Sequence, residues 1–267
     1  MAKVLITGAS GGIGLMTTEL LASQGYEVVA TVRPSSDTTQ IKALSEKYAT
    51  LTIEHFDVLD ALYYPKILKD LEDRHNGFDI IVMNAGVLYG GLIEKMTSAQ
   101  IMTTVQTNLS ACIAITSTLV EGMKERGQGK LIFISSLAAS RPLPYLSVYN
   151  ASKAGLEGLA KSLYLELAPS HIDVYLVEPG FYQTNLWRHD GDCQDQETQK
   201  VKKLAYFMTK PRDVKEVTFQ ILKICEGKSR RFHHTFGHYA KFQCLCKPFI
   251  YTKCGKTLYK YLLRRIK

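Results

Sequence analysis

The chain has 267 residues, 46% of them hydrophobic, and a formal net charge of +8. Its length fits one large α/β domain or two small ones, and its apolar content is enough for a packed core. No apolar run approaches the ~18 residues needed to cross a bilayer, and the apolar stretch at residues 1–8 is too short for a signal peptide; a cytoplasmic protein is expected.

Val4 to Ile6 reads as a strand running into a glycine-rich turn, and Ile13 to Gln24 as a helix. Tyr26 to Val32 is a second, β-branched strand. A polar helical stretch from Thr38 to Tyr48 leads to a third strand at Leu51 to Phe56. Asp60 to Arg74 is expected to be helical despite Pro65, and Phe78 to Met83 to be a buried strand. Thr97 to Arg126 repeats at helical period until Gly127 and Gly129 end it. Lys130 to Ser135 reads as a strand, Ser147 to Ala168 as a long helix stopped by Pro169, and Ile172 to Val177 as another strand. Strands separated by helices predict a doubly wound parallel sheet of Rossmann type with helices on both faces. There is no internal repeat, low-complexity segment or interdomain linker. The expected organisation is one catalytic domain over residues 1–227 and a basic extension over 228–267.

Thr7-Gly8-Ala9-Ser10-Gly11-Gly12-Ile13-Gly14 follows a strand and opens a helix. The missing side chains let the turn close and let backbone N–H groups reach a pyrophosphate, while the helix N-terminus favours the phosphate charge. A purely structural turn is the competing reading, but it has no need of four glycines in seven positions. The second strand ends in Val32 and Arg33. An acidic residue in that corner would bind ribose hydroxyls and favour NAD(H), whereas a guanidinium suits a 2′-phosphate. NADP(H) is therefore preferred and NAD(H) remains open, with a solvated arginine as the bland alternative.

Tyr149 and Lys153 stand four residues apart, one turn along one helix face, with Ser136 thirteen residues before the tyrosine. An ammonium close to a phenol favours the phenolate and is expected to lower the phenol's pKa from about 10. Such a phenol exchanges protons with a substrate oxygen. By itself the pair also fits an ordinary amphipathic helix with one half-buried ring.

Taken together with Asp57-Val58, Asn84-Ala85-Gly86, Asn108, and Pro179-Gly180 with Thr184, these pieces make the chain resemble a short-chain dehydrogenase/reductase of the compact, roughly 250-residue kind. The resemblance covers residues 3 to about 225. The glycines at 8, 11, 12 and 14 also suit longer sugar-nucleotide epimerases, but Asn84-Ala85-Gly86, Asn108 and the short C-terminal part favour the compact branch. The resemblance implies that Tyr149 passes the proton, Lys153 tunes it and binds the nicotinamide ribose, and Ser136 polarises the substrate oxygen. It implies that Asn108 helps position a water leading from Lys153 to solvent. On the cofactor side it implies Gly8, Ser10, Gly11, Gly12, Ile13, Gly14 and Arg33, with Asp57 and Val58 at the adenine, and Asn84, Ala85 and Gly86 near the adenosine ribose. Pro179, Gly180 and Thr184 are implied at the nicotinamide, along with Tyr149 and Lys153 themselves. It also implies a homodimer or homotetramer joined through helices near 97–126 and 147–168.

The resemblance further implies that residues 181–210 form a lid over the substrate. Leu88 to Ile93 and Leu143 to Leu146 would line the same cleft. Their apolar character suits a lipophilic carbonyl such as a steroid, retinoid or long-chain aldehyde or ketone, and Val28 to Arg33 is similar to the 17β-hydroxysteroid and retinol dehydrogenase group. Core packing accounts for some of these residues equally well.

Eleven of the 33 Lys and Arg, and none of the 25 Asp and Glu, follow Gly227. Leu258, Tyr261, Leu262 and Ile266 form a helical stripe among these cations. Peripheral contact with an anionic membrane and a packing helix with a solvated basic face both fit. No recognition motif points to nucleic acid. Cys112, Cys193, Cys225, Cys244, Cys246 and Cys254 fit free thiols, and with His233, His234 and His238 they match no zinc spacing, so no metal is expected. A membrane-associated nucleotide-binding protein without important turnover is the rival reading, but such a protein has no need of Asn108, Ser136, Tyr149 and Lys153 together.

Overall fold

The computed structural model describes residues 1–180, 182, 186, 199, 213–229 and 231–236. Its strands are β1 (Lys3–Thr7), β2 (Glu27–Val32), β3 (Leu51–His55), β4 (Ile80–Met83), β5 (Gly129–Ile134), β6 (Ile172–Glu178) and β7 (His233–Thr235). They form one sheet in the order β3-β2-β1-β4-β5-β6-β7, and every pairing is parallel. Side chains alternate between the faces. Val4 and Ile6 join Val28, Ala30 and Val82 in one core, and Leu5 joins Val29, Ile81 and Met83 in the other. A sheet covered on both sides needs apolar residues at successive positions, which explains why all of Ile80–Met83 is buried.

Helices α1 (Gly12–Ser23), α2 (Thr39–Lys47) and α9 (Lys215–Cys225) cover the first face through Leu21, Ile41, Val217 and Ile221. Helices α4 (Pro65–Arg74), α6 (Ala111–Arg126) and α8 (Ser147–Glu166) cover the second through Leu68, Ile115 and Leu156. Three shorter helices also lie among the described residues: α3 (Asp60–Tyr63), α5 (Ser98–Val105) and α7 (Leu137–Ser140). The chain builds β1, β2 and β3 in one direction and then crosses to β4 on the other side of β1. The reversal leaves a crevice at the carboxyl ends of β1 and β4, the usual ligand site of such sheets.

Two expected helices differ in detail. The stretch from Asp60 to Arg74 is broken at Tyr64 (φ −133°, ψ 68°), and Pro65 begins α4. Proline lacks an N–H and keeps the preceding residue out of helical geometry, but it is well placed in a first turn. The stretch from Thr97 to Arg126 begins with a capping box between Thr97 and Gln100 and ends on Gly127 in the left-handed region. Between α5 and α6 it widens into a π-type turn at Gln106–Ser110. Helix α9 and strand β7 lie in a region where no element was expected. Among the described residues no helix is long and apolar enough to cross a membrane.

Candidate active site

The turn after β1 closes against the end of β4. Gly8 adopts φ +69°, and a Cβ there would stand 2.8 Å from the Ala85 Cα; only glycine fits both demands. Asn84 fastens the junction by donating from Nδ2 to the carbonyls of Thr7 and Gly8, both at 3.0 Å. Thr7 Oγ1 accepts from the backbone N–H groups of Asn84 and Ala85 at 3.1 Å. A Cβ on Gly14 would collide with the Gly8 carbonyl and the Asn84 amide, so α1 can seat its first turn only on glycine. Gly11, the N-cap of α1, has no side chain with which to cap the first turn, which leaves the helix's backbone N–H groups to an outside acceptor.

These elements border a cleft of about 810 Å³. Gly8, Ser10, Gly11, Gly12 and Ile13 line it, as do Val58, Asn84, Ala85, Gly86, Pro179 and Gly180. Arg33 lines it with Ser35, Ser36 and Gln40, three residues that the sequence reading did not single out. Val32, placed in the same corner from sequence, is instead buried in the core at 1% exposure. Of the two, only Arg33, just past the end of β2, lines the cleft. Asp57 is not a lining residue; its Oδ1 accepts from the Leu59 N–H at 3.0 Å at the start of α3. Gly14 also lies beneath the cleft rather than on its wall. Thr184 lies outside the described residues, as does most of the expected lid.

Ser136, Tyr149 and Lys153 line the same cleft. Ser136 caps α7, its Oγ accepting from Ala138 N–H at 3.1 Å, and its hydroxyl also hydrogen-bonds the Tyr149 phenol. Tyr149 and Lys153 are each 4% exposed. Lys153 Nζ donates to the Ile134 carbonyl at 2.9 Å and stands 6.0 Å from the centre of the Tyr149 ring. The expectation that Lys153 lowers the phenol's pKa is corrected here. Burial pushes Tyr149 up to about 12, with the Ser136 hydrogen bond pulling modestly the other way. Burial likewise brings Lys153 down to about 8. An ammonium at this distance, itself desolvated, does not outweigh the cost of placing a phenolate in the interior.

Asn108 sits in the π-type turn with no exposed surface. Its Oδ1 accepts from Val87 N–H at 2.8 Å, and its Nδ2 donates to the Val87 carbonyl at 2.9 Å and to Ser152 Oγ at 3.1 Å. Asn108 therefore ties the loop after β4 to α8 beside Lys153, and does not line the cleft. A Cβ on Gly86 would lie 3.3 Å from Asn108 Oδ1 and 3.6 Å from Lys153 Nζ, so this loop packs directly against both.

Beyond Ser136 and Tyr149 the walls turn apolar. Leu88, Ala138, Leu143, Leu146 and Leu186 line them, and most of these pack together with Tyr149 as a small cluster of their own. Ile93, expected on this wall, is 55% exposed. Tyr182, from the expected lid segment, also lines the cleft, as does Arg141, which was not foreseen. Cys112, buried near Lys153, has its thiol pushed up to about 11 by burial. Cys112 and Cys225 are free thiols; the other four cysteines lie outside the described residues, which contain no cluster of three potential metal ligands.

A family model described as short chain dehydrogenase matches residues 2–195. A 3-ketodihydrosphingosine reductase of Bacteroides thetaiotaomicron is 31% identical over 184 residues, 68% of this chain and 65% of that protein. The matches span about two thirds of the length of such curated relatives. A solved short-chain dehydrogenase from Streptomyces avermitilis superposes with a TM-score of 0.80 at 25% identity, covering 99% of each chain. The closed form of a serine dehydrogenase complexed with NADP+ superposes with a TM-score of 0.77 at 26% identity, covering 88% of this chain and 94% of that one.

Proposed function

The chain belongs to the short chain dehydrogenase family, and from that premise we propose that it is an NADP(H)-dependent oxidoreductase interconverting a carbonyl and an alcohol on a lipophilic substrate. One observation carries the reading: Ser136, Tyr149 and Lys153 line the same cleft as the glycine turn, with an apolar wall beyond them. Gly8 and the turn to Ile13 would hold the pyrophosphate, and Arg33 with Ser35 and Ser36 a 2′-phosphate. The NADP+ complex of the serine dehydrogenase supports this choice of cofactor. When bound, the nicotinamide supplies or receives the hydride.

The residues of the chain do the rest. Ser136 Oγ is placed to donate to a substrate carbonyl oxygen and stabilise the charge that develops there. The Tyr149 phenol delivers a proton to that oxygen during reduction and takes it back during oxidation. Lys153, fixed on Ile134 O, would bind the nicotinamide ribose. Leu88, Leu143 and Leu146 exclude water and receive an apolar chain or ring. The 3-ketodihydrosphingosine reductase, whose name denotes a long-chain ketone, supports the lipophilic substrate class. Exposed Met102, Ile113 and Leu165 on α5, α6 and α8 support a homodimer or homotetramer built on those helices.

The test is a panel of lipophilic aldehydes and ketones read by NADPH absorbance. Wild type is expected to turn over members of the panel. Tyr149→Phe is expected to lose at least about a hundredfold in kcat while NADPH still binds. Normal turnover by the variant removes the tyrosine from the proton step.

A further inference from the structure

Glu178, the last residue of β6, is 0% exposed. Burying a carboxylate is costly unless a cation meets it. Here that partner is His233, whose Nε2 lies 2.8 Å from Oε2; no described residue, His233 included, meets either oxygen with hydrogen-bond geometry, so the contact is an ion pair when the imidazole is protonated. His233 stands opposite Leu176 in the β6–β7 register, so it meets Glu178 diagonally across the two strands and on the same face. Strand β7 is a three-residue edge. Its backbone links to β6 include Leu176 N–H to Phe232 O at 2.8 Å and Phe236 N–H to Glu178 O at 3.0 Å.

The residue after Glu178 belongs to the cleft. Pro179 and Gly180 line it, and the Pro179 carbonyl accepts from Leu137 N–H at 2.9 Å, next to Ser136. We infer that Glu178 is a positioning residue: paired with His233, its buried carboxylate fastens the edge strand to the sheet and holds the Pro179–Gly180 turn against the Ser136 loop.

The pair depends on pH. The close approach of Glu178 raises the His233 pKa, burial opposes it, the Glu178 and Glu157 charges add to it and Lys161 subtracts. Glu157 and Lys161 face the imidazole from α8 and pair with each other at 2.6 Å. His234 and Arg231 stand on the histidine's own segment. A pKa raised above the usual imidazole value of about 6.5 means that the stabilisation is complete below that value and is lost as pH rises through the raised one. The carboxylate is then left buried without its cation. His234 does not mimic this, because its lowered pKa acts on the acid side.

The inference rests on the reductase reading only where cofactor is measured. For full-length wild type, His233→Lys, His233→Gln and Glu178→Gln, thermal unfolding without cofactor and NADPH affinity are followed from about pH 6.5 to 9. Wild type is expected to lose about 2–4 °C of midpoint across that range, and roughly three- to tenfold in NADPH affinity. His233→Lys, whose ammonium stays charged throughout, should lack that part of the loss, keeping only the slope that Lys153, held at about 8, contributes in every variant. His233→Gln should lie at every pH below His233→Lys by the full alkaline loss of wild type, and Glu178→Gln should show no slope beyond that of His233→Lys. A level wild-type curve, or a His233→Lys variant that follows wild type downward, overturns the inference. If Glu178→Gln does not fold, the two His233 variants decide. If none of the proteins binds NADPH, the cofactor reading fails on its own. Deuterium uptake at residues 135–141 then decides: at about pH 9 it should be faster in wild type than in His233→Lys, and equal uptake overturns the inference.

Discussion

A buried phenol whose pKa stands at about 12 is a proton donor at neutral pH, the form that carbonyl reduction consumes. Alcohol oxidation needs the phenolate instead. Its kcat/KM is therefore expected to climb between about pH 7 and 9, while that of reduction stays level until Lys153, held at about 8, begins to lose its proton. A flat oxidation profile contradicts this. At the other end of the cleft, Arg33→Ala should weaken NADPH relative to NADH by roughly ten- to a hundredfold, the worth of a charge-assisted phosphate contact. Competitive binding of the two cofactors measures that ratio, and an unchanged ratio frees Arg33 of the role. The identity of these residues was legible in the sequence, since the family resemblance selected Ser136, Tyr149 and Lys153 and the end of the second strand selected Arg33. The direction in which the phenol is tuned was not, because it depends on burial, which spacing does not report. Nor was the difference between Val32 and Arg33, which depends on the strand ending at Val32 with that side chain in the core.

Among the elements, helix α1 shows how closely packing and site are joined. Gly14→Ala drives a methyl group into the Gly8 carbonyl and the Asn84 amide, with an expected cost of about 1–3 kcal/mol and lost NADPH affinity. Gly158, exposed in the middle of α8 with nothing within reach of an added Cβ, gives the contrast. Gly158→Ala is expected to stabilise by about 0.5–1 kcal/mol through helix propensity. Denaturant midpoints of the two variants should move in opposite directions. Strands β1, β2, β4, β5 and β6 announce themselves as apolar runs because both faces of the sheet are covered, whereas β3, with Thr52, Glu54 and His55, is only partly buried. Strand β7 does not announce itself, since His233-His234-Thr235 carries no such run and pairs only because β6 is there. Helix α9 was legible in principle from Val217, Ile221 and Ile224 at helical spacing. The break at Tyr64 was legible in Pro65. The π-type turn at Gln106–Ser110 has no comparable signal, since its residues continue the helical period on either side.

For the whole molecule, charge is the organising fact. The 11 cations after Gly227, set against a body of 22 basic and 25 acidic residues, give the C-terminal segment a field of its own. Residues 237–267 lie outside the described structure, so the tail is argued from composition: basic residues flanking apolar ones suit an anionic surface. Deleting residues 240–267 is expected to abolish sedimentation with phosphatidylserine vesicles and leave NADPH binding unchanged. A full-length chain that never sediments with them assigns the segment to packing instead.

The seam between β1 and β4 has a further consequence, for the order in which the molecule is made. Val4 pairs with Ile80, Lys3 N–H with the Asp79 carboxylate at 2.8 Å, and the Gly8 turn rests on Ala85. The two walls of the dinucleotide cradle thus come from stretches more than seventy residues apart. A nascent chain that has emerged only as far as β3 holds every glycine of its motif and still lacks the surface against which they close. Such distant pairings form slowly, after the entropy of a long loop has been overcome. The glycine signature is the earliest legible mark in the sequence, and the site it marks is completed only after that long loop has closed.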